Sequence, residues 1–381
     1  MPWAPAPRRG RRGLVATVLV GGLLFGGGAG AAARGGNYPV LVVGAGPSAD
    51  YVLVAEGCAQ LRCLVLDRYD PSTGRFARVA RPALRAVRDS PSGDLARIDF
   101  ASARLGVALA GPIGDVARVY VTDDGARTWR RVALGAGERA LDVAAGGGTI
   151  YVVLARCRTA HGLARCHDYR LAHASGARGW TSVAVPASVT TVPPGDPAGP
   201  QLGPVAAFAR RVVVVQLSGR TTPVRRSSDA GATWSTTRVA WPTLTNIDGC
   251  TLGPEGPTVL WATCPTGMQV SFYRSADFGT SWRAVAQSQF SGTGGGFFAA
   301  ASASVAYLDY GYPRHVLYVV RAPSLVPVRV GPLPCASVTS ETFSDVAHGA
   351  LVCTASSSPY AAPRLVVTSD QGHHWREVPI P

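Results

Sequence analysis

The chain has 381 residues and no lysine; all 37 of its basic side chains are arginine, a composition bias to which no functional reading is attached. Glutamate is nearly absent, with only Glu56, Glu138, Glu255, Glu341 and Glu377, so few are on hand for a glutamate-based active site. Charged residues make up only 16% against 47% apolar, which excludes a disordered, highly charged chain. No complete GxGxxG is present. Gly44-Ala45-Gly46-Pro47-Ser48 is half of such a fingerprint, but Pro47 interrupts it and no βαβ pattern surrounds it, so a dinucleotide site is excluded. The densest basic run, Arg75, Arg78, Arg81, Arg85 and Arg88, has only Phe76 among it. Without aromatic interleaving it is no nucleic-acid platform and reads as a solvated face. No Ser-His-Asp arrangement has diagnostic context, and the histidines are scattered.

Glycine and proline, 45 and 29 residues, are spread through short turns, as in an all-β chain with many short strands. Among these turns one stretch of eight residues recurs. Clean copies are Ser227–Trp234, with Asp229 and Gly231, and Ser275–Trp282, with Asp277 and Gly279. Thr368–Trp375 carries Asp370 and Gly372, with His374 in the Ser/Thr position. Thr122–Trp129 carries Asp124, with Ala126 in the Gly position, so its turn is expected to be strained or slightly different. Apolar runs flank each copy, for example Arg118-Val119-Tyr120-Val121 before and Arg131-Val132-Ala133-Leu134 after. β-branched and aromatic runs around a polar, Gly-containing turn read as β-hairpins. The Asp can accept turn N–H groups, the hydroxyl can close the loop, and the Gly can take φ > 0. Repetition of the acid argues for turn stabilisation over catalysis, since one active site does not need the same carboxylate on several units.

The pattern Ser/Thr-x-Asp-x-Gly-x-Thr/Ser-Trp resembles the Asp-box (BNR) repeat of sialidases, sortilin-type receptors, some glycoside hydrolases and photosystem assembly factors. The resemblance implies a β-propeller, with each turn joining the outer two strands of a blade, away from the functional face. Trp129, Trp234, Trp282 and Trp375 are 105, 48 and 93 residues apart. The outer intervals are close to twice the middle one, which predicts degenerate copies at 175–180, at 321–328 and, opening the series, at 67–76. That makes about seven blades of roughly 50 residues, with six or eight still open. Pro39-Val40-Leu41-Val42-Val43 is expected to be a strand that completes the last blade and seals the ring.

Residues 1–33 read as an export signal, with Arg8 to Arg12, an apolar stretch from Leu14 to Phe25, and Ala31-Ala32-Ala33 before Arg34; an uncleaved anchor is the alternative. The propeller then occupies 34–381. The eight cysteines fall into neighbouring pairs: Cys58 with Cys63, Cys157 with Cys166, Cys250 with Cys264, and Cys335 with Cys353. Such pairing suggests disulfides in an oxidising compartment. Zinc at Cys157, His161, Cys166 and His167 is the competing reading, but it lacks a tight CxxC pair.

For function two readings stand. The first is an exported binding or assembly module, secreted or held in the cell envelope, with no metal or cofactor. Its protein or glycan ligand lies over the central channel, opposite the Asp turns. The formal charge of +14 admits an anionic envelope polymer as partner and makes membrane contact depend on an uncleaved leader. The second is a secreted glycoside hydrolase of sialidase or glucanase type. A sialidase needs three arginines and a Tyr–Glu pair; Tyr310 or Tyr312 with Glu341 do not assemble into that pattern, and the early Arg-Ile-Pro motif is missing. Acids outside the repeated turns, Asp99, Asp248, Asp309 and Asp345, are the candidates for a glucanase-like pair.

Overall fold

A computed structural model describes residues 43–46, 49–58, 61–70, 75–78, 84–85, 95–110, 118–160, 163–186, 202–216, 221–240, 251–266, 269–286, 297–310, 315–356 and 363–379. Its regular structure is all strand. Seven antiparallel sheets follow one another along the chain, six of four strands and the first of five. We number them as blades: blade 1 spans 43–85, blade 2 95–131, blade 3 138–184, blade 4 202–240, blade 5 251–284, blade 6 297–332 and blade 7 337–378. Each is a meander with its strands paired in chain order, except that the fifth strand of blade 1, Leu84–Arg85, pairs with its third, Leu61–Asp70.

The first strands of successive blades are neighbours, and the series closes on itself: Val43–Gly46 packs against both Leu95–Phe100 of blade 2 and Ser337–Phe343 of blade 7. The chain is therefore a β-propeller with the first strand of each blade innermost. The seal differs from the expected strand exchange. Val43–Gly46 pairs within its own blade, and blade 7 completes its four strands from 337–378 alone. Gly44, Ala45 and Gly46 also lie within that strand, so they form no phosphate-binding turn.

Burial explains the sequence pattern. Second strands are covered on both faces by adjacent blades, so they read as unbroken apolar runs: Val212, Val213 and Val214 are fully buried, as are Ala350 to Cys353. Outermost strands start exposed, as at Arg130-Arg131 and Arg283-Ala284. Arginines reach between blades. Arg211 Nη1 donates to the Pro257 carbonyl (2.7 Å), Arg274 Nε and Nη2 to the Ala303 carbonyl (3.1 and 2.8 Å), and Arg321 Nη2 to Gln371 Oε1 (3.0 Å). A planar fork of donors suits this bridging better than an ammonium would.

Two disulfides are described. Cys157–Cys166 staples the second and third strands of blade 3, and Cys335–Cys353 ties the segment entering blade 7 to its second strand. The first rules out zinc at Cys157 and Cys166. Cys264 is also disulfide-bonded. Cys250, His161 and the side chains of Cys58 and Cys63 lie outside the described residues, as do residues 1–33, where an export signal is expected. No described helix is long and apolar enough to cross a membrane.

Candidate functional site

The four recurring turns join the third and fourth strands of blades 2, 4, 5 and 7. In blade 4, Ser227 Oγ donates to Asp229 Oδ1 (2.7 Å), and Gly231 N donates to Ser227 Oγ (2.6 Å). Thr233 N donates to Asp229 Oδ1 (2.9 Å) and Thr233 Oγ1 to Oδ2 (2.7 Å). Asp124 with Thr122 and Thr128 repeats this network, as does Asp277 with Ser275 and Ser281. In blade 7, His374 takes the hydroxyl's place, with Nδ1 2.5 Å from Asp370 Oδ2. Both oxygens of each acid are thereby engaged inside its own turn. The donors hold the Asp229 and Asp370 carboxyls down at about 2.

The turn backbone is the same in all four. Two successive residues take positive φ: Gly125 and Ala126, Ala230 and Gly231, Phe278 and Gly279, Gln371 and Gly372. Ala126 thus adopts the left-handed conformation at φ 67° despite its Cβ. Trp234, Trp282 and Trp375 are half-buried in the clusters shared with the preceding blade, and Trp129 sits edge-on to Phe100, centroids 6.2 Å apart. The turns at 175–180 and 321–326 occupy the same place in blades 3 and 6; of the expected copy at 67–76, residues 71–74 lie outside the described residues.

Each turn is pinned to the hairpin between the first two strands of its own blade: Gly125 N to Arg104 O (2.9 Å), Ala230 N to Arg210 O (2.8 Å), Phe278 N to Thr258 O (2.7 Å) and Gln371 N to Ala347 O (3.0 Å). Both sets of turns therefore share one face. Asp345 lies there too, accepting Ala347 N (2.6 Å), His348 N (2.8 Å) and a bond with His348 Nδ1 (2.8 Å).

Unspent acid chemistry sits elsewhere, in the seam between blades 6 and 7. Asp309, on the second strand of blade 6 (Val305–Tyr310), is fully buried, and both its oxygens lie against His315 Nδ1 (2.9 and 2.8 Å). Glu341, on the innermost strand of blade 7, enters from the other side; the residue keeps some exposure, but both carboxyl oxygens are sealed and neither has a hydrogen-bond partner. Burial first, then the Asp309 charge, pushes the Glu341 carboxyl well above the usual carboxylate range. Burial also raises Asp309, with the His315 hydrogen bond opposing. Below them Tyr307 stacks on Phe343 (centroids 3.8 Å) and its hydroxyl donates to the Val346 carbonyl (2.6 Å).

The repeat makes the pair conspicuous. When the blades are superposed on the register of their second and third strands, the Glu341 position holds Ile98, Val143, Val205, Leu252 and Phe298 in blades 2 to 6. The Asp309 position holds Leu109, Val153, Val215, Thr263 and Val352 in blades 2, 3, 4, 5 and 7. Two carboxyls have entered one seam at positions the architecture elsewhere keeps uncharged. A buried unpaired carboxyl costs stability.

Of the other candidate acids, Asp99 lies on the innermost strand of blade 2 and Asp248 outside the described residues. Tyr310 ends the Asp309 strand; Tyr312 and Arg314 are not described. Asp142, unremarked in the sequence, accepts Val205 N (2.7 Å) and so braces the inner strands of blades 3 and 4. Glu255 ends the inner strand of blade 5, on the turn face, with burial raising it to about 7. Among the described residues no cluster of three or more His, Cys, Asp or Glu is arranged to hold a metal.

No protein-family model matches the chain, and no curated protein does. Among solved structures it is similar to a prolyl endopeptidase at 12% identity, covering 91% of this chain and 51% of that one, TM-score 0.52. It is also similar to a puromycin-hydrolyzing peptidase of Mycobacterium tuberculosis, at 14% identity over 89% of this chain and 52% of that one, TM-score 0.50. The chain spans about half the length of these peptidases, and the likeness shows the fold, a β-propeller. YCF48 bound to a D1 peptide is similar at 14% identity over 74% of this chain and 81% of that one, TM-score 0.47.

Proposed function

We propose that the chain is an exported β-propeller that acts as a binding or assembly module, with its ligand over the central channel on the face opposite the Asp-box-like turns. The observation that carries this reading is Glu341: an unpartnered, sealed carboxyl on a channel-lining strand, where five other blades carry an apolar residue. Local rules broken at one place in an otherwise regular array point to function at that place. The Asp-box-like turns spend their acids internally, which leaves the turn face to architecture. Disulfides fit an oxidising, extracytoplasmic compartment.

A glycoside hydrolase would have to draw on the same two carboxyls, Glu341 as the protonated acid and Asp309 as its partner. Sealed oxygens favour the binding reading, since a substrate cannot reach them without the seam opening.

The test pairs a fluorogenic glycoside panel with a binding screen of immobilised envelope glycans and peptides, run on the wild type and on Glu341→Gln. Saturable binding without turnover, weakened in the variant, supports the module. Turnover that Glu341→Gln abolishes would replace it with the hydrolase.

A further inference from the structure

A second departure from the repeat lies at the outer end of the same seam, on the turn side. In the register of third and fourth strands, the first residue of the outermost strand is Arg130, Thr181, Ser235, Arg283 and Arg376 in blades 2, 3, 4, 5 and 7, all exposed and polar. Blade 6 has Val328 there, 57% exposed. Val328 and Val326 are the two large hydrophobic side chains left exposed among the described residues.

Val328 borders a groove of about 230 Å³ between blades 6 and 7. Val319, Val328 and Val330 line it, with the buried Tyr307 beneath, and Arg329 and His373 border it. Arg321, beside them, is tied to Gln371 (3.0 Å). No carboxylate among the described residues lines the groove. Among the described residues neither the Arg329 side chain nor that of His373 has a hydrogen-bond or ion-pair partner. The strand carrying Val328, Pro327–Pro332, is paired among the described residues on one side only, which leaves the edge facing away from the blade open to them. An open edge recruits extended chain, pockets beside it read alternate side chains, and a free guanidinium beside an apolar floor selects an acidic sequence.

We propose that this groove docks an extended acidic segment of a partner protein, one apolar side chain resting on Val319, Val328 and Val330 and a flanking carboxylate met by the Arg329 guanidinium, with the His373 ring beside it. The groove has room for one large side chain, and the formal charges that line it, Arg321 and Arg329, are positive. The surface lies on the turn side, apart from the channel ligand, and gives the module a second point of attachment.

The probe is a labelled peptide of alternating Glu and Ser with one central Leu, titrated by fluorescence anisotropy. Controls replace the Leu by Gly, or every Glu by Lys. The acidic Leu peptide is expected to saturate, with each control at least tenfold weaker and affinity falling as salt rises. Val328→Ser installs the residue that blade 4 has at this position, and Arg329→Ala removes an exposed side chain. Each should weaken binding at least fivefold, while Glu341→Gln leaves it unchanged. Equal affinity for the acidic and basic peptides would overturn the proposal. So would a lack of saturable binding to folded protein, or unchanged affinity in Val328→Ser. Thermal melts of each variant confirm folding; if Arg329→Ala fails to fold, the peptide pair and Val328→Ser decide alone.

Discussion

Burial, and then the Asp309 charge across the seam between two blades, raises the proton affinity of Glu341, and His315 Nδ1 lies 2.8 Å from Asp309 Oδ2. A carboxyl whose folded pKa is raised keeps a proton that the unfolded chain releases. Stability then falls as pH climbs above the unfolded value of about 4.5, until the folded group also ionises. For one proton the slope is at most about 1.4 kcal/mol per pH unit. Urea midpoints measured from pH 5 to 9 should therefore drop with pH. Glu341→Gln should flatten the decline and raise the midpoint at the alkaline end. A variant with the wild-type slope would show that Glu341 ionises freely in the folded state.

The recurring turns respond in the opposite direction. Asp229 and Asp370 are held down at about 2 by donors within their own turns. A depressed folded pKa contributes stability above the unfolded value, lost as pH falls from about 4 towards 2. Asp124 is the turn acid to remove: it accepts from the Thr122 hydroxyl and from both the N–H and the hydroxyl of Thr128. Asp124→Ala should cost about 1–3 kcal/mol by leaving those donors unpaired. Denaturant titration at pH 7 measures it, and the difference from wild type should shrink at pH 2.

Much of this fold was legible in the sequence because one local device repeats. A hydroxyl, an acid, a small residue and a tryptophan at constant offsets need no tertiary context to be read as hairpin corners. Spacing alone then placed the degenerate corners at 175–180 and 321–328. Ring closure was not legible, because a short apolar strand near Val43 pairs equally well with its own blade or with the last one. The acid pair was half visible. Asp309 stood out as an acid outside the turns, and Glu341 as one of five glutamates. Their meeting depends on two blades packing face to face, 32 residues apart in sequence, and becomes visible only when the blades are superposed. Val328 was invisible for the same reason, since a lone valine in a strand carries no signal until its counterparts are seen to be polar.

The disulfide entering blade 7 should matter more than the one inside blade 3. Cys335 and Cys353 are separated by 18 residues and Cys157 and Cys166 by 9, so the former removes more freedom from the unfolded chain. Cys335→Ser with Cys353→Ser should lower stability by about 2–4 kcal/mol. The paired change in blade 3, where the cysteines face each other across adjacent strands, should cost less. Scanning calorimetry of the two double variants checks the order.

The left-handed corner gives opposite expectations at equivalent positions. Ala126 holds φ 67° with its Cβ in place, whereas Gly372 holds φ 85° where an added Cβ would come within 2.2 Å of Leu317 Cδ2 on blade 6. A non-glycine residue in this conformation costs about 1–2 kcal/mol, and glycine gives back part of the difference through its freer unfolded chain. Ala126→Gly should therefore stabilise by about 0.5–1 kcal/mol. Gly372→Ala meets the same backbone strain and must also displace Leu317, which is fully buried in the seam beside Phe343. It should destabilise by more than Ala126→Gly gains. Urea midpoints of the two single variants measure both effects. A loss in Ala126→Gly would mean that the Ala126 methyl, itself buried, contributes more by packing than its backbone loses by strain.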